Sequence, residues 1–168
     1  MKVSFKVQGS LVLRMREDLR RPHPHAAERV GFISCRFGTI QQGVLVLAHE
    51  YHPVADEHYE FDPSVGARFS SAAIRSALQI AISKEVGIFH VHLHDHAGVP
   101  RPSLVDWREW AKFVPDFWHV RPALPHGALL LSRDRIIGWC WYPGRHEPVA
   151  MSRFTLVDSR LVFWEATT

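Results

Sequence analysis

The chain has 168 residues, 46% of them hydrophobic and 22% charged, with a formal charge of +3. That length and balance fit one globular domain with a buried core, residues 1–168, and exclude a disordered or fibrous chain. The chain is mildly basic, at pI ≈ 9.1. Its arginines are spread along the sequence, with Arg14 to Arg21 the one dense patch, so charge gives no argument for a nucleic-acid partner.

In chain order, Val3 to Val7 alternates apolar and polar residues as a half-buried strand does. Leu11 to Arg20 fits either a second strand or a helix, and Pro22-His23-Pro24 interrupts it. His25 to Arg29 reads as a short helical turn. Val30 to Phe37 is a buried strand by its β-branched and apolar content. A turn at Gly38 and Gln41-Gln42-Gly43 leads into a second strand, Val44 to His52, expected antiparallel because the link is short. Asp56 to Gly66 is a polar loop. Ser70 to Lys84 is the clearest helix, with Ala73, Ile74, Ala77, Leu78, Ala81 and Ile82 on one face. Val86 to Phe89 is a buried strand. Ser103 to Phe113 is a helix with Ser103 as N-cap and Asp106 at the capping-box position, ended by Pro115. The remainder is β-like: Gly127 to Leu131, Ile136 to Trp141, Phe154 to Val157 and Leu161 to Trp164. Turn signals at Arg133-Asp134, Pro143-Gly144 and Asp158-Ser159 separate these strands. This order predicts an α+β fold, a mixed α/β sheet domain without repeats or linkers.

Cys35 and Cys140 sit in apolar surroundings and read as buried thiols in a reducing compartment. The N-terminal stretch MKVSFKVQGSLVLRMRED has no apolar segment of signal length, and no transmembrane-length apolar run follows. A cytoplasmic location, with no membrane partner, is the expectation.

Histidine is the outlier in composition. There are 12, and four of them, His90, His92, His94 and His96, fall within seven positions in FHVHLHDHAGVPRPSLVD. On a strand, side chains at i and i+2 share a face, so two of these imidazoles converge without help from distant chain. Asp106, on the helix after the loop, is placed to give a third ligand. Two imidazoles and one carboxylate suit Zn2+ and leave a fourth position for water, whose pKa then falls to about 7. The alternative is a solvated, His-rich edge. A hydrolytic site of this kind also needs a general base besides its ligands.

HxH, a loop, then SxxD resembles the JAMM motif of the JAB/MPN metalloprotease family. That family also carries an upstream glutamate in an ExxGxLxG-like segment at the start of a core strand. Here Glu28, Gly31 and Ile33 match that segment, and Cys35 stands at its final glycine. The resemblance runs from about residue 20 to 165 and covers the order of elements. It implies a JAB/MPN-like (cytidine deaminase-like) curved mixed sheet flanked by helices. It implies Glu28 as the acid–base and Ser103 as support for the developing oxyanion.

The family's HxH is usually followed by proline, and no pair here is. With His90 and His92 as ligands, the loop to Ser103 is three residues longer than usual, but Gly87 falls three before the first histidine as in the family strand. With His92 and His94, the loop is one residue longer and GVPRPS aligns well. The strand alignment favours His90 and His92, with Asp106, and His94 as the alternative ligand. Glu50 is a rival for the base, although an exposed strand-end carboxylate is its plainer reading. Trp107 and Trp110 fit core packing or a cleft wall, His119 and His126 have no partner at metal spacing, and GALLLSRDRIIGWCWYPG fits a core hairpin.

The resemblance implies a bacterial, deubiquitinase-like zinc isopeptidase that cleaves after the C-terminal glycine of a ubiquitin-like protein, by precursor processing or deconjugation. Enzymes that are E1-like and E2-like are the implied partners in its pathway. The alternatives are a non-catalytic MPN-type scaffold and a hydrolase of small adducts on a sulfur-carrier protein. A (β/α) barrel amidohydrolase with an early HxH would need about 250 residues and a repeated βα pattern.

Overall fold

The computed structural model describes residues 2–41, 43–145, 147–158 and 162–165. Gln42 of the expected first turn, Ser159 of the last turn and Leu161 of the last strand lie outside the described residues.

The fold is mixed α/β. In chain order its elements are β1 (Lys2–Gln8), α1 (Gly9–Leu19), β2 (Val30–Ile40), β3 (Gly43–Pro53), β4 (Tyr59–Glu60), β5 (Arg68–Phe69) and α2 (Ser71–Lys84). Next come β6 (Gly87–Leu93), α3 (Leu104–Phe113), β7 (His126–Leu131), β8 (Ile136–Trp141), β9 (Val149–Ala150), β10 (Arg153–Val157) and β11 (Val162–Glu165). Nine strands form one sheet in the order β11-β10-β1-β3-β2-β6-β7-β8-β9, and β4 and β5 pair separately. Strand β1 is parallel to both β10 and β3, and β6 is parallel to β7. The β2–β3 hairpin is antiparallel, as its short link predicts. None of the helices described is long and apolar enough to cross a membrane.

The ambiguous Leu11 to Arg20 segment is helical. Leu11, Val12, Met15 and Leu19 come round to one buried stripe, the spacing of a helix face. The helical turn expected at His25 to Arg29 is absent, and the chain bends there instead. The cause is Arg29, whose side chain is only 3% exposed. Its Nε donates to the Arg21 carbonyl at 2.8 Å, Nη2 to the Pro22 carbonyl at 3.1 Å and Nη1 to Asp56 Oδ1 at 2.6 Å. These bonds tie Arg29 back to residues 21–22 and across to Asp56, an arrangement that satisfies the donors of a buried guanidinium and that a continuous helical turn over 25–29 does not provide.

Three clusters bury the sheet. On one face α1 covers Phe5, Ile33, Phe89, Leu129 and Phe154. On the other, Ala73, Ala77 and Ala81 of α2 lie against Phe32 and Ile88. Further along that second face, Trp110 and Val114 of α3 and its C-terminal end meet Ala128, Leu130 and Trp141. Strand β6 runs between the two faces with all seven residues buried. Alternation sends Phe89, Val91 and Leu93 toward α1, and Ile88, His90 and His92 toward α2 and α3. Cys35 and Cys140 are buried free thiols.

Candidate metal centre

Strand register brings the candidate residues together. In the antiparallel β2–β6 ladder Val30 lies opposite His92, and Phe32 opposite His90. Extending that register two residues beyond β2 sets Glu28 beside His94. His94 stays in line with β6, because its N–H donates to the Leu131 carbonyl at 2.9 Å. His94 Nε2 stands 3.7 Å from Glu28 Oε1. His90 is four residues back along the strand from His94, roughly 13 Å at the usual rise per residue.

The polar segment before α2 fixes Glu28 from the other side. The Glu28 N–H donates to the Gly66 carbonyl at 2.9 Å. A Cβ at Gly66 would stand 2.6 Å from Glu28 Oε2, so the lack of a side chain there makes room for the carboxylate. One residue on from buried Arg29, the Val30 N–H donates to the Tyr59 hydroxyl at 2.8 Å, tying β2 to β4.

Helix α3 presents Asp106. Its N-terminus is a full capping box: the Asp106 N–H donates to Ser103 Oγ at 3.1 Å, and the Ser103 N–H donates to Asp106 Oδ2 at 2.6 Å. Oδ1 is left to face His92, whose Nε2 stands 3.1 Å away. His94 Nε2 is 3.7 Å from Asp106 Oδ2. Burial pushes the Asp106 carboxyl upward in pKa. The His92 ring and the Ser103 amide outweigh burial and hold it well below the usual carboxylate range.

Glu28, His92 and His94 offer ligand atoms that all lie within 4.8 Å of one another, so this group can hold a metal ion. Both ring nitrogens of His92 are buried, and among the described residues neither makes a hydrogen bond of good geometry, the 3.1 Å approach of Nε2 to Asp106 Oδ1 being a charge contact only. Buried polar atoms left unpaired are costly. A cation among two imidazoles and carboxylates would satisfy one of them, and that donor set fits a divalent metal. Burial and the neighbouring His92 ring keep His94 on the neutral side, against the pull of Glu28 and Asp106, and neutral imidazole is the form that ligates.

His90 takes a different part from the one the strand alignment favours. Trp110 Nε1 donates to His90 Nδ1 at 3.0 Å. An indole N–H can only donate, so Nδ1 is the acceptor and the neutral ring carries its proton on Nε2. In that tautomer no lone pair remains for a metal, and the Nε2–H is itself buried without an acceptor among the described residues. The ring lies among Phe32, Phe69 and Phe113 at centroid distances of 5.8, 6.0 and 5.2 Å. Burial, then His92, keeps it neutral. The histidine beside Glu28 and Asp106 is His94, the alternative ligand that the loop length to Ser103 points to.

The four groups lie at the floor of a cleft of about 890 Å³. One wall is residues 62–71, the other is α3 from Val105 to Phe113. Ser103 lines the cleft. Its Oγ accepts the capping bond, which leaves the hydroxyl hydrogen free to donate. Glu50 is outside the cleft lining and pairs with Lys84. Trp107 stacks edge-on against Trp139 at 4.7 Å and Trp110 is core. The buried His126 accepts from the Ile88 N–H at 3.1 Å and stacks on Phe117, a structural role. Gly66 and Arg29 were not singled out by sequence reasoning. A glycine at the end of the polar Asp56 to Gly66 loop carries no local signal of a carboxylate against it, because Glu28 reaches it from far back in the chain.

No protein-family model matches the chain, and no curated protein matches it.

Proposed function

We propose that the protein is a zinc-dependent isopeptidase of JAB/MPN type, cleaving after the C-terminal glycine of a ubiquitin-like protein. The observation that supports this reading most is the convergence of Glu28, His92, His94 and Asp106 at the floor of one cleft. It joins the HxH, SxxD and upstream-glutamate pattern of the sequence.

His92, His94 and Asp106 would hold the ion, and Glu28, whose carboxylate also lies within ligand reach of both imidazoles, would act on its water. Zinc when bound polarises a carbonyl and lowers the pKa of a water to about 7. Glu28 accepts a proton from the attacking water as oxygen adds to the scissile carbonyl carbon, and then delivers it to the departing amine nitrogen as the C–N bond breaks. The Ser103 hydroxyl donates to the oxygen that gains charge. Its position is fixed by the same capping box that orients Asp106, so one helix terminus serves both residues. His92 is 2% exposed, at the bottom of the cleft. A chain ending in glycine reaches that depth with least obstruction from its own side chains.

The test is cleavage of a ubiquitin-like conjugate by the purified protein. Chelation should abolish it, added zinc should restore it, and Glu28→Gln should lower kcat by at least about 100-fold, the scale of a lost general base. Activity unchanged under chelation and in Glu28→Gln contradicts the proposal.

A further inference from the structure

His94 lies beyond the last residue of β6, on a stretch that lacks the proline usual after HxH in the resembled family. Something else must hold it in place. The β7–β8 turn meets this stretch at every other residue. The His94 N–H donates to the Leu131 carbonyl and the Arg133 N–H to the His96 carbonyl, each at 2.9 Å. Arg133 grips Asp95 with two nitrogens, Nε to Oδ1 at 2.8 Å and Nη2 to Oδ2 at 3.2 Å. Asp134 Oδ1 accepts the Gly98 N–H at 2.7 Å. Gly98 has φ +90, a conformation open to glycine. The turn is itself braced: Ser132 Oγ donates to Asp134 Oδ1 at 3.1 Å, and Arg16 Nε of α1 donates to the Ser132 carbonyl at 3.3 Å.

We propose that Arg133 and Asp134 are positioning residues for the metal centre: they clamp residues 95–98 to the β7–β8 turn and so fix where His94 stands. The proposal rests on the metal-centre reading above. A fork of two parallel bonds sets orientation as well as distance, which a single charge contact would not. The Arg133–Asp95 pair is solvent-exposed on both sides. Exposed pairs add little to global stability, so the effect belongs to the local geometry of His94.

The experiment compares the full chain with Arg133→Ala, Asp134→Ala, the double variant and Arg133→Lys. Zinc affinity is measured by competition with a chromophoric chelator, the visible spectrum of the Co2+-substituted protein is recorded, and amide exchange is followed in metal-free protein. The single variants should lose about tenfold in zinc affinity and the double variant up to about 100-fold, the range seen when residues that orient a ligand are removed. The Co2+ bands should shift, and the His96 and Gly98 region should exchange faster, while the global unfolding midpoint stays put. Arg133→Lys keeps the charge without the fork and should recover only part of the affinity. Wild-type affinity and an unshifted Co2+ spectrum in the double variant overturn the clamp and leave the metal centre standing. A wild-type protein that takes up no zinc overturns the metal centre instead. The clamp is then decided by exchange in the metal-free protein, where unchanged protection of residues 95–98 in the double variant overturns it.

Discussion

Trp110 on α3 donates its indole N–H to Nδ1 of His90 on β6, 3.0 Å away, with both side chains buried. That bond occupies the His90 ring nitrogen on the side of α3, while His92 and His94 stand with Glu28. It assigns the His90 proton to Nε2 and makes the residue part of the core, next to a centre built from His92 and His94.

Trp110→Phe removes the donor and leaves a buried acceptor unpaired. The expected loss is about 1–3 kcal/mol, with a smaller addition for the volume removed. Denaturant unfolding checks it through a lowered midpoint at unchanged slope. A midpoint equal to wild type would show that the bond carries no stability.

Gly66→Ala tests the placement of Glu28. The new Cβ would meet the end of a flexible carboxylate, not backbone, so the fold should persist and Glu28 should move. Misplacing a catalytic group by about 1 Å costs up to 100-fold in rate. The expected result is cleavage slowed by at least about tenfold with zinc content unchanged. A parallel loss of zinc would instead make Glu28 a ligand.

Stability should fall with acid through His126. Burial pushes its pKa from 6.5 down to about 4, opposed only by the Arg121 carbonyl. The folded state therefore prefers the neutral ring. Its contribution is complete above the unfolded pKa of about 6.5, and it is lost as pH falls through about 4, where the unfolded chain has already taken up the proton. The difference corresponds to roughly 3 kcal/mol. Urea unfolding of metal-free protein between pH 7 and pH 4 should show a steeper fall for wild type than for His126→Gln. Parallel curves would show that His126 does not carry the acid sensitivity.

Much of the fold was legible because it is local. The alternation of Val3 to Val7, the short β2–β3 link and the apolar face of α2 each specify an element without reference to the rest. The capping box of Ser103 and Asp106 was legible too, since both partners fall within one turn of helix. What failed depends on distant chain. The His25 to Arg29 bend follows from a guanidinium satisfied by Arg21, Pro22 and Asp56 together. Strand β4 lies in the segment whose polarity reads as loop, and its partner β5 follows just beyond it. The choice between His90 and His94 turns on the β2–β6 register and on Trp110, neither of which HxH spacing contains.

A metal centre on His92 and His94, with His90 outside it, is tested most directly by equilibrium zinc binding to wild type, His90→Gln, His92→Gln and His94→Gln. One tightly bound zinc is expected in wild type, with tight binding lost in His92→Gln and His94→Gln and retained in His90→Gln. Loss of zinc in His90→Gln with retention in His94→Gln, or no stoichiometric zinc in wild type, would contradict it.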